Sequence, residues 1–118
     1  AYSLADGGAV ARSLTVLGRA GIADKDVNGI VDYSLWWLVC HDLYHRYFGR
    51  DAGFLAREWA RIDTAVGLLM GRCAPDGFLA VAEHDWVFID WVDVEKGAAL
   101  QILWWWALGA AAALAERA

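Results

Sequence analysis

Apolar residues recur at helical spacing along most of the chain and predict four helices. The first helix is expected to run from Asp6 to Ala20 and to stop before Gly21. Val10, Leu14 and Leu17 are separated by steps of four and three residues, which places them on one face of that helix. A polar linker over residues 21–31 follows.

The second helix is expected to begin at Asp32, a residue type favoured at the N-cap, and to end at Phe48 before Gly49. Apolar side chains occupy nearly its whole circumference. A helix with that pattern is typically buried on all sides, so the sequence predicts an inner helix here.

The third helix is one-sided and is expected to be capped by Asp51. Its apolar stripe follows alternating steps of four and three residues, and its charged residues lie largely off that stripe. The stripe consists of Leu55, Trp59, Ile62, Val66, Leu69 and Cys73, and the charged residues are Arg57, Glu58, Arg61 and Asp63. This pattern predicts an outer helix. Because few residues separate it from the second helix, the two are expected to pack antiparallel as an αα-hairpin.

Pro75, Asp76 and Gly77 form a turn signal, since Pro presets φ and Gly tolerates a positive φ. Residues 78–94 are interpreted as an irregular loop. A fourth helix, from Glu95 to Glu116, is again apolar nearly all round and should be an inner helix. Alternation of inner, outer and inner helices predicts an all-α fold arranged as part of a two-layer helical toroid.

Composition narrows the functional classes. The apolar fraction of 59% and the aromatic fraction of 14% exceed what 118 residues can bury, which favours one partial domain over residues 1–118 of a larger fold. A net charge of −5 without a basic patch disfavours nucleic-acid binding.

The apolar run from Leu100 to Ala115 is shorter than the about 20 residues of a membrane span, so no membrane is expected. Cys40 and Cys73 lack paired spacing and are expected to be buried and reduced, as in a cytoplasmic protein.

Two segments place acids beside aromatic side chains: residues 31–37 (VDYSLWW) and residues 85–91 (DWVFIDW). Carboxylates hydrogen-bond sugar hydroxyls, and indole rings stack on the apolar face of a pyranose. Eight tryptophans in a chain of 118 residues strengthen the pattern. The sequence therefore predicts a carbohydrate site.

Several motifs in order resemble the central part of the bacterial alpha-L-rhamnosidase catalytic domain. They are residues 28–37 (NGIVDYSLWW), 48–51 (FGRD), 76–79 (DGFL) and 86–91 (WVFIDW), followed by an Ala- and Leu-rich helix. The resemblance covers nearly the whole chain. It implies a six-hairpin glycosidase with an (α/α)6 barrel, which releases terminal alpha-L-rhamnose by inversion and needs no cofactor.

The resemblance also implies roles for particular residues. Asp32 corresponds to an acid that faces the cleft, and Asp90 and Trp91 correspond to an Asp-Trp pair lining the sugar subsite. Trp36 and Trp86 would be wall residues. The general acid and general base of the family fall outside these residues, so the chain is expected to be inactive without the remainder of the catalytic domain.

Three alternatives stay open. His41 and His45 have the i, i+4 spacing of a helical zinc site, with Asp42 where zinc proteases have Glu, but no third ligand is evident and no metal is expected. A second alternative keeps the toroid and changes the sugar. A third is a non-catalytic helical module that binds a partner protein through its aromatic faces.

Overall fold

The computed structural model describes residues 6–19, 30–49, 52–82, 85–88 and 97–118. Four helices account for most of them: α1 (Gly7–Arg19), α2 (Val31–Tyr47), α3 (Ala52–Met70) and α4 (Ala98–Arg117). The described part of the chain otherwise contains turns and two isolated β-bridges. The all-α prediction is confirmed, and each helix lies within a few residues of its predicted position.

Helices α2 and α4 form the most extensive contact of the fold. Trp36 packs against Trp106 near the middle of the pair, and Asp42 pairs with Arg117 further along both helices. Because the contacts follow the same order in both sequences, the two helices run parallel.

Helix α1 packs on α2 and runs antiparallel to it. A Cβ at Gly7 would lie 2.9 Å from the Phe48 ring, and the indole Nε1 of Trp37 donates to the Leu14 carbonyl at 2.9 Å. The start of α1 thus meets the end of α2. Asp6 accepts hydrogen bonds from the amides of Gly8 and Ala9 and caps α1, as the residue type favours.

Helix α3 returns from the end of α2 to the start of α4. Phe54 lies 5.0 Å from the Tyr44 ring near the end of α2. After the turn that follows α3, the backbone of Leu79 exchanges two hydrogen bonds of 2.9 Å with the Gln101 side chain on the first turns of α4. Helix α3 therefore runs antiparallel to both α2 and α4.

Helices α2 and α3 run antiparallel, as predicted for an αα-hairpin, and they touch where the Phe54 ring of α3 meets His41, Tyr44 and His45 of α2. The more extensive helix contacts are those of α3 with α4 and of α1 with α2, so the helices form two layers: α1 with α3, and α2 with α4. The core consists of side chains from both layers, among them Leu35, Leu38, Ile62, Leu69, Leu100 and Leu114.

Several burial predictions need correction. Leu17 is exposed, and Gly18 is buried against Trp37 in its place. Glu58, predicted to lie off the buried stripe of α3, is buried because it accepts hydrogen bonds from Thr15 on α1 and from Arg61. Cys40 is exposed and Cys73 is half-buried, so the expectation of two buried thiols is wrong.

Helix α4 is long and apolar enough to cross a membrane by length and composition alone. Of its 18-residue apolar window, 39% is buried inside the structure. A core helix meets the same criterion, so this is weak evidence, and the expectation that the chain avoids membranes stays a prediction.

Candidate functional site

A row of five exposed aromatic side chains crosses the side of α2 and α4 that α1 and α3 leave uncovered. In spatial order the aromatic row consists of Trp86, Phe88, Tyr33, Trp36 and Trp106. Ring centroids lie 6.2 Å apart between Trp86 and Phe88, 5.9 Å between Phe88 and Tyr33, and 5.6 Å between Trp36 and Trp106. Tyr33 and Trp36 lie at i, i+3 on α2, so the two groups of rings share one face of that helix.

The rings of the row do not lie in one plane. Successive planes meet at 38° for Trp86 with Phe88, 42° for Phe88 with Tyr33 and 70° for Trp36 with Trp106. Trp86 is 61% exposed and is the most accessible member. Contiguous aromatic surface on this scale typically marks a site for a ligand or a partner.

The segment at residues 85–88 reaches the row because two hydrogen bonds, one to a backbone carbonyl and one to a carboxylate, tie it to the start of α2. The Val31 amide donates to the Trp86 carbonyl at 3.1 Å, and the Phe88 amide donates to Asp32 Oδ1 at 3.1 Å. A third contact, the 2.9 Å ion pair of Arg72 with Asp85, attaches the segment to the turn after α3. These contacts hold two aromatic rings beside α2.

Asp32 has a different place from the one predicted. Ile30 is the N-cap residue of α2, and Asp32 lies inside the first turn, only 2% exposed. Its carboxylate oxygen Oδ1 accepts the Phe88 amide. Asp32 therefore helps to hold the 85–88 segment beside α2, and its predicted contact with a sugar stays a prediction.

The structure brings together part of the predicted site. Trp36 and Trp86 are both in the aromatic row, and Asp32 supports it. Asp90 and Trp91 lie outside the described residues, as does the predicted cap Asp51.

Sequence reasoning missed three members of the row: Tyr33, Phe88 and Trp106. Tyr33 could have been found, because it lies three residues before Trp36 and shares its helix face. Trp106 carries no such signal, since only the packing of α4 on α2 decides which tryptophan of the run 104–106 turns towards Trp36. Trp104 of the same run is buried and Trp105 is exposed.

His41 and His45 face the interior instead of forming a metal site. His41 is fully buried, its ring 4.4 Å from Trp37 and stacked on Phe54 at 5.6 Å. Its two ring nitrogens have no hydrogen-bond partner among the described residues. Burial, and secondarily the charge of His45, lowers the pKa of His41 to about 3. Within the described residues no cluster of three or more His, Cys, Asp or Glu side chains could hold a metal ion.

A shallow depression of about 520 Å³ lies elsewhere, on the outer face of α1. Ala9, Arg12, Ser13, Val16 and Leu17 line it, all from one helix. It shares no residue with the aromatic row and carries no carboxylate, so the row is the better candidate site.

No protein-family model matches the sequence, and no curated protein matches it significantly.

Proposed function

We propose that the chain supplies a sugar-binding surface to an inverting glycoside hydrolase that releases terminal alpha-L-rhamnose. The observation that carries the proposal is the aromatic row, with Trp86 and Phe88 held beside Tyr33 and Trp36 by Asp32. Stacking on aromatic rings is how apolar pyranose faces are recognised, and the deoxy carbon of rhamnose adds apolar surface to such a contact.

The arrangement of the helices supports a toroid as the setting. The parallel pair α2 and α4 would be inner helices, and α1 and α3, both antiparallel to that pair, would be outer helices of the same arc. In such an arc the aromatic row would lie on the side facing the centre of the barrel, where this class of enzyme binds sugar.

Catalysis would come from carboxylates other than those near the row. Inverting hydrolysis needs an acid and a base about 6.5–9.5 Å apart with room for water between them. Asp32 is buried and accepts the Phe88 amide, and Asp85 is paired with Arg72 and the Ala82 amide. Both carboxylates are engaged in holding the 85–88 segment, which agrees with a binding role for this part of the enzyme.

Sugar binding by the 118-residue chain tests the proposal directly. Titration with L-rhamnose and a methyl alpha-L-rhamnoside, followed by saturation-transfer NMR, should give signal transfer to the sugar. Trp86→Ala should weaken binding about fivefold, the loss of about 1 kcal/mol of stacking. Trp105→Ala is the matched control, because Trp105 is 76% exposed but lies outside the row. Equal losses in the two variants, or no binding by the wild type, would refute the site.

Specificity and turnover need separate measurements. A panel of sugars in the same experiment distinguishes rhamnose from other pyranoses, and preferential binding of another sugar would favour the toroid with a different substrate. The chain by itself should not hydrolyse an aryl alpha-L-rhamnoside. Measurable turnover that Asp32→Asn abolishes would show that Asp32 is catalytic and that the division of roles is wrong.

A further inference from the structure

The aromatic row is longer than one sugar. Its ring centroids lie 6.2, 5.9 and 5.6 Å apart in the three pairs that are in contact. Each of these steps is close to the length that one pyranose adds to a linear glycan. A single rhamnose unit on Trp86 would therefore cover one end of the row and leave the exposed rings of Tyr33, Trp36 and Trp106 in contact with water.

Each ring of the row is turned relative to its neighbour in contact. The planes meet at 38° for Trp86 with Phe88, at 42° for Phe88 with Tyr33 and at 70° for Trp36 with Trp106. A rigid flat ligand can lie against one such ring but cannot follow the whole row. A chain of sugars can follow it, because rotation about each glycosidic bond lets successive pyranoses tilt relative to one another. The geometry thus favours a ligand made of several jointed units.

The charges around the row favour a neutral ligand. In the described parts of α2, α4 and the 85–88 segment the arginines are Arg46 and Arg117, and both are ion-paired near the C-terminal ends of their helices. Arg72, which reaches the 85–88 segment from the turn after α3, pairs with Asp85 at 2.9 Å. The whole chain carries a net charge of −5. An acidic glycan would therefore bring further negative charge to an already negative chain, whereas a neutral glycan would not.

We propose that the aromatic row binds a linear oligosaccharide of several neutral sugars, with its terminal rhamnose at Trp86 and its later units along the row towards Trp106. This inference rests on the proposed function and names its substrate, which is a rhamnose-ended glycan chain instead of a small glycoside. The terminal sugar is assigned to Trp86 because that residue is 61% exposed, more than any other member of the row. The remaining rings hold the rest of the chain while its end is cleaved elsewhere in the barrel.

A series of ligands of increasing length tests the inference. The 118-residue chain is titrated, with NMR detection, against methyl alpha-L-rhamnoside and the linear alpha-linked di-, tri- and tetrasaccharides of L-rhamnose. The affinity should rise about threefold to fivefold with each added unit, since each unit gains an aromatic contact. An affinity that does not depend on length overturns the inference and leaves the proposed function standing. Failure of every ligand to bind refutes the proposed function, and the inference with it.

Trp106, at the opposite end of the row from Trp86, distinguishes long ligands from short ones. Trp106→Ala should weaken binding of the tetrasaccharide about fivefold and that of the methyl rhamnoside much less, whereas Trp86→Ala should weaken both. Trp106→Phe keeps a ring at this position and should retain most of the affinity. Trp105→Ala is the matched control and should change neither affinity, because Trp105 is 76% exposed but lies outside the row. Equal losses for both ligands in Trp106→Ala would show that Trp106 acts through the fold, and would overturn the inference.

The indole N–H signals show which tryptophans the ligand reaches. The tetrasaccharide should shift the signals of Trp36, Trp86 and Trp106, while Trp37, whose Nε1 donates to the Leu14 carbonyl in the core, should not respond. Two further ligands test other occupants: an oligogalacturonide of the same length, and 4-nitrophenyl alpha-L-rhamnoside. If either binds as tightly as the tetrasaccharide, the row accepts an acidic glycan or a flat aglycone equally well, and the inference fails.

Discussion

His41 is a titratable group enclosed by aromatic rings, and its neutral form is the one that the fold accommodates. Burial is the main reason that its pKa falls from 6.5 to about 3. Because the unfolded chain binds a proton at pH below 6.5 and the folded chain does not, the contribution of His41 to stability is fully present above pH 6.5. It is lost progressively as the pH falls from 6.5 towards 3.

Replacing His41 with leucine should remove this pH dependence. Between pH 7 and pH 5 the wild type should lose about 2 kcal/mol of unfolding free energy more than His41→Leu does. At pH 7 the variant should be at least as stable, since the two ring nitrogens make no hydrogen bond with the described residues. Urea unfolding of both proteins at several pH values measures the difference. Parallel pH profiles would contradict the assignment.

Asp42 is a buried carboxylate shared by two arginines from different helices. Arg46 Nε lies 2.7 Å from one oxygen, and Arg117 Nη1 of α4 lies 3.2 Å from the other. While either arginine remains, the buried charge keeps a partner. We therefore expect Arg46→Met and Arg117→Met each to cost about 1 kcal/mol of stability and the double variant to cost about 3–5 kcal/mol.

Urea denaturation of the two single variants and the double variant measures this coupling. Arg12→Met is the control, because Arg12 and Asp6 are both exposed and their charged groups are 4.0 Å apart. Its effect should stay within about 0.5 kcal/mol. Strict additivity of the two single changes would show that the arginines act independently and that Asp42 does not depend on having one of them.

At the scale of elements, two glycines distinguish a close helix contact from an open surface. A Cβ at Gly18 of α1 would lie 2.8 Å from the Trp37 ring, which its bond to the Leu14 carbonyl holds in place. Gly18→Ala should therefore cost about 1–3 kcal/mol. A Cβ at Gly67 of α3 would meet nothing within 4 Å. Gly67→Ala should therefore stabilise the protein by about 0.5–1 kcal/mol, because alanine has a higher helix propensity than glycine. Thermal unfolding followed at 222 nm compares them, and equal effects would refute the close contact.

The helices were predictable because their signals are local. Apolar spacing and flanking glycines placed all four within a few residues of their positions. Which helices pack together was not predictable, since the contact of α2 with α4 joins segments separated by the whole of α3. Gly18 illustrates the limit: the sequence shows a glycine in a helix, but only its approach to Trp37 explains it.

The candidate site shows the same limit: residues with a local sequence signal were predictable, and long-range partners were not. Trp36 and Trp86 lie in the two segments where acids adjoin aromatics, and the family resemblance implied that they are wall residues; both are exposed in the aromatic row. Asp32 was assigned a capping role on local grounds, but the 85–88 segment offers it a backbone amide from 56 residues away. A long-range partner of this kind leaves no trace in the spacing around Asp32.

At the scale of the whole molecule, the two layers bury their helices unequally. Helix α2 has 11 buried residues of 17, whereas α1 has only Leu14 and Gly18 among its 13. Helix α1 is attached through the Trp37 and Glu58 hydrogen bonds and covers one side of α2. An element with so little buried surface should open before the rest of the fold.

Native-state hydrogen exchange at low protein concentration should therefore separate α1 from the central pair. Amides in the middle of α2 and α4 should exchange only on global unfolding, while those of α1 should exchange earlier, through release of that helix alone. Gly18→Ala should lower the free energy of both openings by the same amount, because each of them releases the close contact with Trp37, so α1 should still exchange before α2. Mass spectrometry of peptic fragments resolves the helices. If all four helices share one protection factor, the chain unfolds as a single cooperative unit and α1 is as much a part of the core as α2 is.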